Sequence, residues 1–198
     1  MTEEADRPLL ILDLDETLIH SSFERLARVE DFRLFEHFVY VRPHLEHFLV
    51  ECAARFRLAI WSSASDDYVE DIVRRIIPRH LPLEFVWGRS RCTFSLDSAM
   101  VQQLGYLDPG SHYSYVKKLH KVKRRGYGLA RTLIVDDTPA KCVHNYGNAI
   151  YVREYAGEAE DPELRLLAAY LATLKDAVDV RTLEKRHWRS VAVHLAHP

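Results

Sequence analysis

The chain has 198 residues, of which 47% are hydrophobic and 28% charged, and a formal net charge of −2. That length buries one substantial core and falls short of two, and the near balance of charge excludes a global pull toward nucleic acid or an anionic membrane, so an acidic substrate must be captured locally. Three cysteines, Cys52, Cys92 and Cys142, stand far apart with no C-x-x-C pair, which excludes a disulfide framework and a cysteine zinc site and fits a reducing compartment. No run approaches the roughly 18 to 20 apolar residues of a membrane helix, and the opening MTEEADR is acidic where a signal peptide is basic. The expected location is the cytoplasm, or the nucleus in a cell that has one, with no membrane association.

In chain order, the first element is the run Leu9 to Leu12, continuously apolar and closed by acids, which reads as a parallel strand buried on both faces. Similar runs recur at Arg57 to Trp61, Leu83 to Trp87, Arg131 to Val135 and Ala149 to Val152. Between them stand segments of helical period: Pro43 to Ala54, Asp66 to Ile77, Pro139 to Asn145 and Pro162 to Leu174. Pro43, Pro139 and Pro162 suit first-turn positions that need no amide hydrogen, and Asp161 stands as a cap before Pro162. Alternation of this kind predicts an α/β fold, a doubly wound, mostly parallel, Rossmann-like sheet. The stretch from Thr93 to Tyr113, with its Asp108-Pro109-Gly110 turn signal, breaks the alternation and reads as a small hairpin or flap over the sheet edge. There are no repeats or linker-like tracts, so a single domain is expected over 1–198, with a core of about 8–176, the insertion at about 93–113 and a C-terminal tail of about 177–198.

Sites in an open parallel sheet form beyond the carboxyl ends of the strands. The first strand delivers Asp13-Leu14-Asp15, whose acids, two apart in extended chain, face one point. Carboxylates so close repel unless a divalent cation lies between them or one keeps its proton. The strand ending at Trp61 delivers Ser62 and Ser63 ahead of a helix start, a seat for a phosphoryl oxygen among backbone amides. The strand ending at Val135 delivers a second acidic pair, Asp136 and Asp137. Together these make a magnesium site with a phosphate seat beside it.

DLDET after an apolar strand, Ser62 after a second, Lys117 in YVKKL, and VDDTP after a later strand stand in the order of the four motifs of the haloacid dehalogenase superfamily, which the chain resembles. More narrowly, it resembles the small phosphatases of the RNA polymerase II carboxyl-terminal domain, also called the nuclear-envelope-interacting-factor-like family. The shared pieces are LDLDETLIHS, VRPHLEHFL, IWSSAS, RSRCTF, YVKKL and IVDDTPAKCVHN, from about Leu9 to Leu174. The resemblance implies a haloacid dehalogenase core without a large cap domain. It also implies that Asp13 becomes an aspartyl phosphate and that Asp15 protonates the leaving oxygen and then activates water. Magnesium would be held by the Asp13 side chain, the Asp15 carbonyl and an acidic-pair residue, Asp137 in preference to Asp136. Ser62 would bind the phosphoryl group, Lys117 neutralise it, Thr17 orient the loop, and Arg89 contact phosphate or substrate. The chain departs from its nearest relatives at Asp137, often Asn there, and in the longer Ser95 to His112 segment.

The implied activity is a magnesium-dependent phosphomonoester hydrolase acting on a phosphoprotein or phosphopeptide, at serine, threonine or tyrosine. Small-molecule phosphatase and catalytically silent binding domain are the alternatives. Neither Thr17 to Arg42 nor Ser62 to Lys117 holds much more than a hairpin or small flap, which favours a bulky substrate, and Asp13 with Asp15 disfavours silence. His44 and His47, one turn apart, lack a third metal ligand, and Lys121 to Arg125 reads as a solvated helix end rather than a nucleic-acid patch. Tyr106, Tyr113 and Tyr115 read equally as a peptide clasp or as packing of the insertion. Cys92 has Ser98, not an arginine, six residues on, so the cysteine-phosphatase loop is absent. Nothing in the pattern sets an oligomeric state.

Overall fold

The computed structural model describes residues 7–96 and 113–196. In chain order the strands are β1 (Leu9–Leu12), β2 (Ile19–Ser22), β3 (Phe32–Leu34), β4 (His37–Val41), β5 (Arg57–Trp61), β6 (Leu83–Trp87), β7 (Thr93–Leu96), β8 (Tyr113–Val116), β9 (Thr132–Asp136) and β10 (Ala149–Tyr151). The helices are α1 (Leu45–Ala53), α2 (Asp66–Ile76), α3 (His120–Lys123), α4 (Glu163–Ala172) and α5 (Trp188–Ala196).

Four apolar residues without a polar break need cover on both faces, and β1 has it: all four are buried. It lies in the middle of a five-stranded sheet of order β10-β9-β1-β5-β6, in which each neighbouring pair runs parallel. Because side chains alternate across a strand, Leu10 and Leu12 enter one core with Phe48, Val69, Leu167 and Trp188. Leu9 and Ile11 enter the other with Trp61, Trp87, Leu119 and Cys142. This is the doubly wound α/β arrangement that the alternation predicts. The expected bounds of β1, β5 and β6 coincide with the observed ones, and β9 begins one residue later than the expected run.

Helix starts follow local chemistry. Asp161 Oδ1 accepts the Glu163 amide at 2.8 Å and so caps α4. Acids open α2 at Asp66 and Asp67 and bases close it at Arg74 and Arg75, matching the helix dipole. Pro139 opens a 3-10 segment, Pro139–Asn148, rather than the α-helix that its period suggests, with non-helical dihedrals at Asn145. Residues 17–42 form a small antiparallel flap of order β2-β4-β3. It is tied to the body by Arg42, fully buried, whose guanidinium forks onto Asp161 at 3.0 Å to each oxygen and donates to the Thr17 carbonyl at 3.0 Å. The flanks of the expected 93–113 insertion pair as the antiparallel β7 and β8. Its middle, with Tyr106 and the Asp108-Pro109-Gly110 signal, lies outside the described residues. Among the described residues no helix is long and apolar enough to cross a membrane.

Residues beyond 176, expected as a tail, contribute to the core. Val180, Trp188 and Ala192 are buried in the first cluster, the Trp188 indole donates to the Tyr151 carbonyl at 2.9 Å, and its ring lies 6.0 Å from that of Tyr170. The periodicity of this segment is weak because Val191, Val193 and Leu195 are exposed apolar residues that blur its buried stripe. Trp188→Ala is expected to cost about 3–5 kcal/mol, seen as a lowered urea midpoint with an unchanged slope; an unmoved midpoint would place α5 outside the cooperative unit.

Candidate active site

Parallel register decides which acids meet. Leu12 of β1 is paired with Val135 of β9, and the Asp13 amide donates to the Val135 carbonyl at 3.0 Å. Asp13 and Asp136 therefore leave adjacent strand ends side by side, both buried. Such a pair is untenable alone in a low-dielectric interior. Lys117, fully buried just past β8, stands between them, its Nζ 2.9 Å from Asp13 Oδ1 and 2.6 Å from Asp136 Oδ2. The neighbouring Lys118 is only half-buried. The Lys117 backbone is bracketed: its amide donates to the Lys141 carbonyl at 2.8 Å, and the kinked Asn145 donates to its carbonyl while accepting the Leu119 amide at 3.1 Å.

Asp13 also accepts the Leu14 amide at 2.9 Å on Oδ1 and Lys141 Nζ at 3.2 Å on Oδ2. Burial works against its charge, but Lys117, Lys141 and these hydrogen bonds together hold the carboxyl below the ordinary carboxylate value. Asp136 has Lys117 and the Thr138 amide at 2.9 Å, without a second ammonium in hydrogen-bond contact among the described residues. Burial and the neighbouring Asp13 push it up to about 6. Lys117, gaining more from Asp13 and Asp136 than it loses by burial, is held firmly protonated.

Asp15 has a different set of partners. Past β1 the chain curls, the Leu18 amide closing on the Leu14 carbonyl at 2.8 Å, with Glu16 at a φ of 58°. Asp15 is thereby aimed at the end of β5, where it accepts Ser62 Oγ at 3.2 Å and Tyr68 OH, from the first turn of α2, at 2.8 Å. Burial first, and then the charge of Asp13, raise its pKa. Glu16, beside Asp15 and Asp137, is pushed up to about 8, chiefly by burial. Two acids two residues apart thus meet opposite environments, one lowered in pKa and one raised, the direction of division that a nucleophile and a general acid require.

Asp137 completes the group. Its Oδ2 accepts Thr138 Oγ1 at 2.8 Å, and its Oδ1 lies 3.5 Å from Thr17 Oγ1. Asp13, Asp136 and Asp137 each offer an oxygen, all within 4.8 Å of one another. An all-carboxylate donor set suits a hard divalent cation such as magnesium. All three also hold protein partners, Asp136 through Lys117 and the Thr138 amide, Asp13 through Lys117, Lys141 and the Leu14 amide, and Asp137 through Thr138 and Lys141; Asp137 is the one of the three that is not fully buried.

Ser62, buried, accepts the Ala64 amide at 3.0 Å ahead of α2. Arg89 stands at the rim instead of in the buried cluster: its Nε donates to the Ser63 carbonyl at 2.9 Å and its guanidinium lies over Tyr115, 5.2 Å from the ring centre. It lines a shallow groove with Asp66, Ser90 and Tyr115. Gly88 is required here, since a Cβ would meet the Asp66 Cα at 2.8 Å. Burial raises the thiol of Cys92, a poor setting for a thiolate nucleophile. Lys121, from the basic run, spends its ammonium on the Arg91 and Cys92 carbonyls at 2.7 and 3.1 Å. His44 and His47 are exposed on α1 and its entry. Sequence reasoning missed Lys141, Tyr68 and Glu16. Lys141 had a signal, four residues past Asp137 where one helical turn brings side chains together.

A family model described as NLI interacting factor-like phosphatase matches residues 8–181. The human carboxy-terminal domain RNA polymerase II polypeptide A small phosphatase 1 is 28% identical over 185 residues, covering 90% of this chain and 63% of the relative. The Schizosaccharomyces pombe nuclear envelope morphology protein 1 is 26% identical over 193 residues, covering 92% of this chain and 36% of the relative. The first curated relatives are thus longer, the chain spanning 63% and 59% of the first two. In fold, the chain is similar to the RNA polymerase II CTD phosphatase Fcp1, with a TM-score of 0.57 at 18% identity, over 96% of this chain and 62% of that one.

The raised carboxyls fix a pH dependence. Glu16 and Asp136, at about 8 and about 6, and Asp15 hold their protons more tightly folded than unfolded. Folding is therefore favoured as pH falls through those values, until the unfolded acids protonate too. Asp13, shifted the opposite way, acts only below about 3.8. In chelator, the thermal midpoint is expected to rise as pH falls from about 8 to about 6; a midpoint that falls over that interval contradicts the charge assignment.

Proposed function

This chain belongs to the NLI interacting factor-like phosphatase family, and we propose that it is a magnesium-dependent phosphomonoester hydrolase acting on phosphoserine, phosphothreonine or phosphotyrosine through an aspartyl phosphate on Asp13. The observation that carries the reading is the split between Asp13, in contact with the ammonium groups of Lys117 and Lys141 and lowered in pKa, and Asp15, raised in pKa by burial and by Asp13 beside the hydroxyls of Ser62 and Tyr68. Magnesium, when bound to Asp13, Asp137 and the Asp15 carbonyl, supplies the positive charge that lets a carboxylate approach a phosphate dianion.

In the first step an Asp13 oxygen attacks phosphorus and the bond to the substrate oxygen breaks, with the Asp15 proton passing to that leaving oxygen. In the second, Asp15, now a carboxylate, takes a proton from water as the water oxygen attacks phosphorus; the bond to Asp13 breaks and inorganic phosphate leaves. Lys117 balances charge on Asp13 and the phosphoryl group. Ser62 and the amides opening α2 hold phosphoryl oxygens. Thr17 fixes the loop that presents Asp15, and Arg89 meets the substrate at the rim. A protein substrate is favoured because the three-stranded flap is small and the rim groove shallow. Relatives are named for the RNA polymerase II carboxy-terminal domain and for the nuclear envelope, so a phosphorylated polypeptide is the substrate class proposed. The chain acts as one catalytic domain in the cytoplasm or, in a nucleated cell, the nucleus.

The test is hydrolysis of an aryl phosphate with magnesium and with chelator. Asp13→Asn is expected to abolish turnover, and Asp15→Asn to lower kcat by about 10²–10⁴-fold, with circular dichroism unchanged in both. The wild-type rate should fall on the alkaline side as Asp15 loses its proton, giving a bell with an acidic optimum. A folded Asp13→Asn variant with wild-type turnover would falsify the mechanism. Phosphopeptides and phosphorylated metabolites compared by kcat/KM then decide the substrate class.

A further inference from the structure

The seat between Asp13 and Asp137 already carries a positive group. Lys141 Nζ lies 3.2 Å from Asp13 Oδ2 and 3.7 Å from Asp137 Oδ1, two of the three carboxylates of the candidate metal cluster. Magnesium takes oxygens at about 2.0–2.1 Å in an octahedron. An ammonium on Asp13 Oδ2 and 3.7 Å from Asp137 Oδ1 draws on carboxylates from which that coordination would be built.

The two lysines of the cluster differ in kind. Lys117 is fully buried and holds two acids together, whereas the side chain of Lys141 is 21% exposed. What Lys141 gives the scaffold is its carbonyl, which accepts the Lys117 amide, and no side-chain change removes that. The ammonium rides on a flexible four-carbon stem from a 3-10 segment at the site's edge. That ammonium contacts Asp13 and Asp137, and its withdrawal would leave the backbone contact to Lys117 in place.

We propose that Lys141 is a built-in competitor for the divalent cation: its ammonium occupies the Asp13–Asp137 seat in the cation-free chain, withdraws when the cation enters, and sets the concentration at which the site loads. This rests on the magnesium reading above. The tethered cation keeps Asp13 and Asp137 from repelling one another while the site is empty. It also blocks one oxygen of the nucleophile until the cation arrives, so an unloaded site is also a quiet one.

The probe is Mn²⁺ alone, titrated without substrate and followed by the electron paramagnetic resonance of the free ion. Lys141→Met, which keeps the stem and removes the charge, is expected to bind Mn²⁺ at least about tenfold more tightly than wild type and to melt below wild type in chelator, with the gap closing in saturating Mn²⁺. A second measurement uses the unmodified chain: acetylation of Lys141 by an amine-reactive reagent, mapped by mass spectrometry, should rise when Mn²⁺ is added. Equal or weaker Mn²⁺ binding by Lys141→Met, or labelling that Mn²⁺ leaves unchanged, overturns the competitor role while the metal seat stands. Mn²⁺ binding by neither protein overturns the seat and the competitor role with it.

Discussion

One buried ammonium holds the site together. The parallel pairing of β1 with β9 places Asp13 and Asp136 at neighbouring strand ends whatever the side chains prefer, and two buried carboxylates so placed would drive the strand ends apart or take up protons. Lys117 makes the register tolerable, and the fold spends several contacts on keeping it there. β8 delivers it, Asn145 grips its carbonyl, and the 3-10 segment after Pro139 receives its amide. The kink at Asn145 that interrupts that segment is thus tied to the placement of a charge several ångströms away.

From that fixed point the different fates of Asp13 and Asp15 follow. Asp13 belongs to the strand and shares the strand's cations. Asp15 lies in the curl beyond it, where Glu16 takes a left-handed conformation and the chain turns toward β5 and α2. Hydroxyls, not ammonium groups, meet it there, and a hydroxyl compensates a buried carboxylate far less than a cation does. Arg42 keeps the curl in place by holding the Thr17 carbonyl with one nitrogen and Asp161, the cap of α4, with the others. The flap, the loop after β1 and the fourth helix therefore meet at a single guanidinium.

Much of this was legible in the residues. LLIL, RLAIW and LEFVW announced their strands because a run with no polar break has nowhere to go but a doubly covered sheet, and the acids and serines that follow them mark the strand ends by contrast. What escaped reading depends on distant partners. Lys141 and Tyr68 look like ordinary surface positions of short helical segments, and only the packing of those segments against the ends of β1 and β9 turns them inward. α5 escaped because its buried contribution rests on Trp188 and Ala192, too few for a period to show. The Pro139 segment was read by its proline and its spacing, yet a buried asparagine broke the helix to satisfy Lys117 and Leu119.

The charge inventory of the site explains why so elaborate an arrangement is needed. Five carboxyl groups, of Asp13, Asp15, Glu16, Asp136 and Asp137, gather around two ammonium groups, Lys117 and Lys141. Protonation of Glu16 and partial protonation of Asp136 near neutrality relieve part of the excess, and the pKa of Asp15 is raised in the same direction. The remainder leaves Asp13 and Asp137 seeking a cation, and a phosphate dianion arriving at such a surface would be turned away before it met a nucleophile. A site that attracts a cation first and an anion second has its order of binding written into its electrostatics. On the proposed mechanism, chemistry by Asp13 is then confined to the state in which both partners are present.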